Sequence, residues 1–157
     1  MQAGEFLKEV MFHTGVADVP AHIARLAVKV ERSGQTMVVL CQPEEINAID
    51  AALWAFSRPS FLPHSRTDAS PSVVARSPVA LVTSMAQVAS LRSAGSPSNS
   101  RLVSTLQVWV DGCESFDKLI EVVTLAGTAD ARERWKRYAQ MGARLSNTAV
   151  DKLVSNA

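Results

Sequence analysis

The run Thr36-Met37-Val38-Val39-Leu40-Cys41 most narrows the folds open to this chain, because it is rich in β-forming residues and lacks any polar alternation. A strand with one wetted face alternates apolar and polar residues, whereas a strand covered on both faces does not. Strands of the second kind belong to parallel sheets lying between helices. Val10-Met11-Phe12-His13, ending at Thr14-Gly15, reads as an earlier strand. Val79-Ala80-Leu81-Val82 after Pro78, Arg101 to Leu106, and Leu119-Ile120-Glu121-Val122-Val123 read as later ones.

Helix signals fall between these runs. Asp18-Val19-Pro20 has the composition of a helix start, with proline in the first turn. Ile23, Leu26, Ala27 and Val30 follow at helical spacing until Ser33-Gly34 stops them. Pro43-Glu44-Glu45 is expected to open a second helix with acids in its first turn, favourable to the helix dipole. Ile46, Ile49, Ala52 and Leu53 form its apolar stripe, which ends near Trp54-Ala55-Phe56. A last helix is expected from about Ala129 to Met141, with Gly142 as its stop. Alternating strands and helices predict an α/β domain with a mostly parallel sheet and helices on both faces. Residues 65–77 and 84–100 are rich in Ser, Pro, Ala and Gly, and 84–100 is expected to be a mobile loop. Neither a repeat nor a break in composition divides the chain, so residues 1–157 are expected to form a single domain.

An α/β chain invites a search for catalytic and cofactor motifs. His13-Thr14-Gly15-Val16-Ala17-Asp18 holds one glycine and is no dinucleotide fingerprint. There is no phosphate-binding glycine loop and no G-x-S-x-G nucleophile elbow. His13, His22 and His64 are scattered, and neither Cys41 nor Cys113 sits in a C-x-x-C pair, which gives a metal site little support. His13 reads as a hydrogen-bonded structural histidine, Cys41 as a buried thiol, and Cys113 as part of a polar connection. A non-catalytic protein without cofactor or metal is therefore expected. A formal net charge of +1 sets up no global field for nucleic acid, so any electrostatic binding must come from a local patch. No apolar stretch approaches membrane-spanning length, and a cytoplasmic protein without membrane contact is expected.

Such a patch lies in Arg132-Glu133-Arg134-Trp135-Lys136-Arg137-Tyr138. Arg132, Trp135 and Lys136 stand at i, i+3 and i+4 and share one helix face. Two cations around one aromatic suit a partner that is both acidic and apolar. The same residues also fit a solvated face with a partly buried tryptophan. A third possibility is direct nucleic-acid binding, with Arg132, Arg134, Lys136 and Arg137 on phosphates. A second cluster, Ala52-Leu53-Trp54 through Ser60-Phe61-Leu62-Pro63-His64, sets Trp54 and Phe61 beside a proline-stiffened loop. They read either as interface anchors or as closure of one edge of the core.

Taken in order, these segments resemble the chi subunit family of bacterial DNA polymerase III, part of the clamp-loader assembly. The resemblance rests on Phe12-His13-Thr14-Gly15-Val16, on Ala52-Leu53-Trp54 with Ser60-Phe61-Leu62-Pro63-His64, and on Pro78-Val79. Glu121-Val122-Val123 and the Arg132–Tyr138 block with Gly142 complete it. It implies a single Rossmann-like domain, three layers deep, without a nucleotide site, and a non-catalytic adaptor. In that family the adaptor joins the clamp loader, through the psi subunit, to the acidic C-terminal tail of single-stranded DNA-binding protein (SSB). Arg132, Trp135 and Lys136 match the positions that receive the tail. Trp54 and Phe61 match aromatics used against psi or against proteins competing for that surface. The resemblance further implies contact with DNA only through SSB, and a monomer that pairs with psi as a hetero-dimer. Neither Arg132 nor Trp135 is expected in the core. Trp135 stands where relatives also carry tyrosine, the segment from Thr124 to Ala131 is short for the family, and 84–100 departs from its pattern.

Overall fold

Residues 7–56, 64–66, 78–93 and 100–150 are described by the computed structural model. Their strands are β1 (Glu9–Val16), β2 (Met37–Leu40), β3 (His64–Arg66), β4 (Val79–Val82), β5 (Arg101–Ser104), β6 (Lys118–Thr124) and β7 (Arg144–Ala149). They form one sheet in the order β3-β4-β2-β5-β6-β1-β7, and every described pair is parallel. The helices among the described residues are α1 (Val19–Arg32), α2 (Ile46–Phe56), α3 (Met85–Ser93) and α4 (Thr128–Gln140).

Strand alternation divides the core into two. Val39, Leu81, Val103 and Val122 point to one face, where Ile23 and Ala27 of α1 and Ile49 and Leu53 of α2 cover them. Val38, Val82, Leu102 and Val123 point to the other, under Val88 and Leu91 of α3 and Ala131 and Tyr138 of α4. The result is a three-layer α/β fold. All four residues of β2 and all four of β4 are buried, as a doubly covered strand requires.

Local chemistry sets the boundaries. Asp18 caps α1, its carboxylate accepting from the Ala21 amide at 3.1 Å, with Pro20 in the first turn. Gly34 takes φ 73 after the C-cap Ser33, a conformation that suits glycine. β1 carries an irregularity between His13 and Val16, where Gly15 has φ 69.

The structure corrects several expectations. Within 84–100, read as a loop, Met85–Ser93 is the helix α3. The Ser84 hydroxyl accepts from the Gln87 amide at 3.3 Å, and the Gln87 side chain accepts from the Thr83 amide at 2.7 Å. This is capping-box chemistry, carried by a Ser-x-x-Gln signature that the small residues around it obscure. The acids Glu44 and Glu45 precede α2 rather than opening it, for the helix begins at Ile46. The Glu45 carboxylate reaches back to the Gln42 amide at 2.9 Å and accepts from the Thr105 hydroxyl at 2.9 Å. The polar connection around Cys113 is a short 3-10 turn that buries the thiol fully. The strands β3 and β7 went unread because neither carries an apolar run, and it is pairing with β4 and β1 that makes them strands.

Candidate functional site

α4 turns three kinds of face to its surroundings. Ala131, Arg134 and Tyr138 are buried, Trp135 is half-buried, and Arg132 and Lys136 are exposed. The buried arginine is explained by Glu121 of β6, which is itself only 1% exposed. Arg134 donates to both of its oxygens, at 2.9 and 3.1 Å, and Tyr138 donates a third bond of 2.6 Å. A buried ion pair is tolerated only when its remaining valences are met, and the tyrosine meets one of them. Burial and the Glu121 charge push the Tyr138 hydroxyl well above the ordinary tyrosine range, so it stays a donor. Arg134 gives a further bond of 2.9 Å to the Gln107 carbonyl.

On the side of α4 next to this anchor, a cavity of about 460 Å³ opens between the helix and the strands β1, β6 and β7. Its floor is apolar: Phe12, Val123, Ala131 and the face of Trp135. The Trp135 ring lies 5.1 Å from Phe12, which packs edge-on to Tyr138 at 5.9 Å. Thr14, Thr128 and Asn147 add polar wall, with the Thr14 hydroxyl donating to Asn147 at 3.0 Å. Arg132 and Lys136 form the charged rim. Arg132 has no ion-pair partner among the described residues, and Lys136 meets only the exposed Glu133 at 3.5 Å.

The three residues read from helical spacing thus line one pocket. What spacing could not supply is its opposite wall: Phe12 and Thr14 of β1, Val123 of β6 and Asn147 of β7. Of the two remaining cations of the helix, Arg134 is buried against Glu121, and Arg137 lies 3.7 Å over the Trp109 ring. The four-cation phosphate stripe is therefore not displayed as one surface.

Trp54 is 48% exposed on α2, across the sheet from this pocket, and is not part of either core cluster among the described residues. Phe61 lies outside the described residues. The scattered histidines also come together in part. His13 Nδ1 of β1 lies 2.9 Å from His22 Nε2 of α1, both buried. Desolvation lowers each to about 4, helped by the Lys29 charge and, at His22, by His13 and Arg25. No group of three or more metal-ligating side chains occurs among the described residues.

The comparisons agree with one another. One curated protein, DNA polymerase III subunit chi of Escherichia coli (strain K12), is 28% identical over 139 residues, covering 87% of this chain and 88% of that one. Residues 7–146 match the family described as DNA polymerase III chi subunit, HolC. That span includes every described element from β1 through α4 and the start of β7. The chain therefore belongs to the DNA polymerase III chi subunit family, an accessory and non-catalytic component of that replication enzyme.

Proposed function

We propose that this chain receives the acidic C-terminal tail of SSB in the pocket beside α4 and holds a clamp-loader partner at Trp54 and Phe61. The partner is psi or a protein competing for the same surface. The chain then acts in the cytoplasm as a monomer that pairs with psi, and it touches DNA only through SSB.

The observation that carries the reading is one pocket with an apolar floor of Phe12, Val123 and Trp135 and a rim of Arg132 and Lys136. Its volume falls within the range of about 300–1,000 Å³ typical of sites for compact ligands. An acidic peptide ending in an aromatic residue presents matching groups: carboxylates for the cations and a ring for the floor. The first turn of α4 borders the cavity through Thr128, and the positive end of the helix dipole adds to the attraction. Placing Trp54 on the opposite face of the sheet leaves room for two partners at once.

The test is calorimetric titration with a peptide copying the SSB tail, at low and moderate salt. Saturable 1:1 binding is expected, weakening with salt and weakening further in Arg132→Ala and Trp135→Ala. Absence of binding at every salt concentration overturns the reading. A labelled single-stranded oligonucleotide without SSB should remain unbound, because Arg134 and Arg137 are already engaged.

A further inference from the structure

Gln107 is the one non-glycine residue with positive φ, at 63°, among the described residues. A side chain other than Gly, Asn or Asp seldom adopts this conformation without compensation, and such sites cluster where geometry matters for function. Here the compensation is visible. The Gln107 amide nitrogen donates to the Val122 carbonyl at 2.6 Å and to the Thr105 carbonyl at 3.1 Å. Its amide oxygen accepts from the Thr124 amide at 3.3 Å, and its own carbonyl accepts from Arg134 at 2.9 Å. The residues on either side of the pocket wall Val123 are thus gripped by one side chain, which is tied in turn to the helix carrying the rim. A Cβ at position 127, the N-cap of α4, would overlap the Gln107 amide oxygen.

We infer that Gln107 is a positioning residue for the pocket. Its amide sets the Val123 wall and the start of α4 in register, and Gly127 is glycine because that amide fills the space of a side chain. The affinity part rests on the tail-binding reading above, while the positioning part does not.

Gly127 has φ −89, which alanine adopts freely, so Gly127→Ala acts by displacing the Gln107 amide. Alanine at an N-cap also lowers helix stability, so stability is not the readout. Gly127→Ala, Gln107→Gly and the double variant are compared by hydrogen exchange at the Thr124 amide, by the NMR signal of the Trp135 indole N–H, and by titration with the SSB-tail peptide. Each single variant should speed Thr124 exchange, shift the Trp135 signal and weaken the tail by about tenfold. The double variant should bind no more weakly than Gln107→Gly, since the clashing atom is already gone. Gln107→Asn tolerates the same φ but lacks the reach to Val122, so it should behave like Gln107→Gly. Unchanged exchange and indole signal in Gly127→Ala, or additive losses in the double variant, overturn the inference. If the wild-type chain binds no tail peptide, the tail reading falls and the exchange and indole results alone decide the positioning role.

Discussion

The Phe12 ring stands 5.1 Å from the Trp135 ring at an interplanar angle of 54°, so the aromatic platform of the pocket rests on the core of the sheet. Read as a sequence, Trp135 belongs either to a docking face or to a solvated face with a partly buried ring. In the fold it is half-buried and serves binding and packing together. Trp135→Ala should therefore cost about 1–2 kcal/mol in urea unfolding in addition to weakening the tail. Arg132→Ala removes only an exposed side chain and should stay within about 0.5 kcal/mol of wild type, while still weakening the tail. Equal stability of the two variants would show that the Phe12 contact contributes nothing.

Glu133 lies 3.5 Å from Lys136 of the charged rim, and both side chains are largely exposed. Exposed pairs hold about 0.2–1 kcal/mol, so freeing the lysine costs little. Glu133→Gln should leave the unfolding midpoint almost unchanged and tighten binding of an acidic peptide two- to threefold (roughly 0.5 kcal/mol) at low salt, an advantage that fades as salt is added. The comparison is a titration at two salt concentrations.

Glu121 holds Arg134 and Tyr138 on the core side of α4. Removing one partner of a buried pair leaves the other charged and dry, a loss of about 3–5 kcal/mol. Glu121→Ala is expected to lose that amount in urea unfolding, whereas Tyr138→Phe should lose about 1–2 kcal/mol. An effect below about 1 kcal/mol in Glu121→Ala would mean that water reaches the pair.

His13 and His22 share a hydrogen bond between neutral rings, and their pKa values are lowered from 6.5 to about 4. The unfolded chain then binds more protons than the folded one between these values, so stability rises with pH across the window. The contribution is complete above pH about 6.5 and is lost as pH falls toward about 4, on the order of 3 kcal/mol for the first protonation. Thermal unfolding between pH 4 and 7 should show this slope, and His22→Gln should flatten it.

Burial, reinforced by the Glu114 and Glu121 charges, pushes the Cys113 thiol up to about 12. Cys41 is equally buried. Since the thiolate is the reactive form, neither should react with a disulfide reagent at pH 8 until denaturant is added. Prompt reaction of one thiol in the native protein would show local opening around it.

What could be read along the chain is what depends on near neighbours. Unbroken apolar runs marked β2 and β4 as doubly covered strands, and Asp18, Pro20 and Gly34 bounded α1, because burial period and caps act over a few residues. Helical spacing put Arg132, Trp135 and Lys136 on one face for the same reason. Composition misled at Met85–Ser93, where a cap and two buried residues outweigh the small side chains around them.

Tertiary structure decided everything that depends on strand order. β1 lies between β6 and β7, which brings Phe12, Val123 and Asn147 to one cavity although they are far apart in the chain. Arg132 and Arg134 are two residues apart, so helical spacing puts them on opposite faces of α4 without saying which face turns inward. A carboxylate on β6 draws one of them inward and leaves the other to solvent. The physical reason is range: backbone periodicity is written within a turn or a pleat, whereas the burial of a charge waits for a partner supplied by the folded sheet.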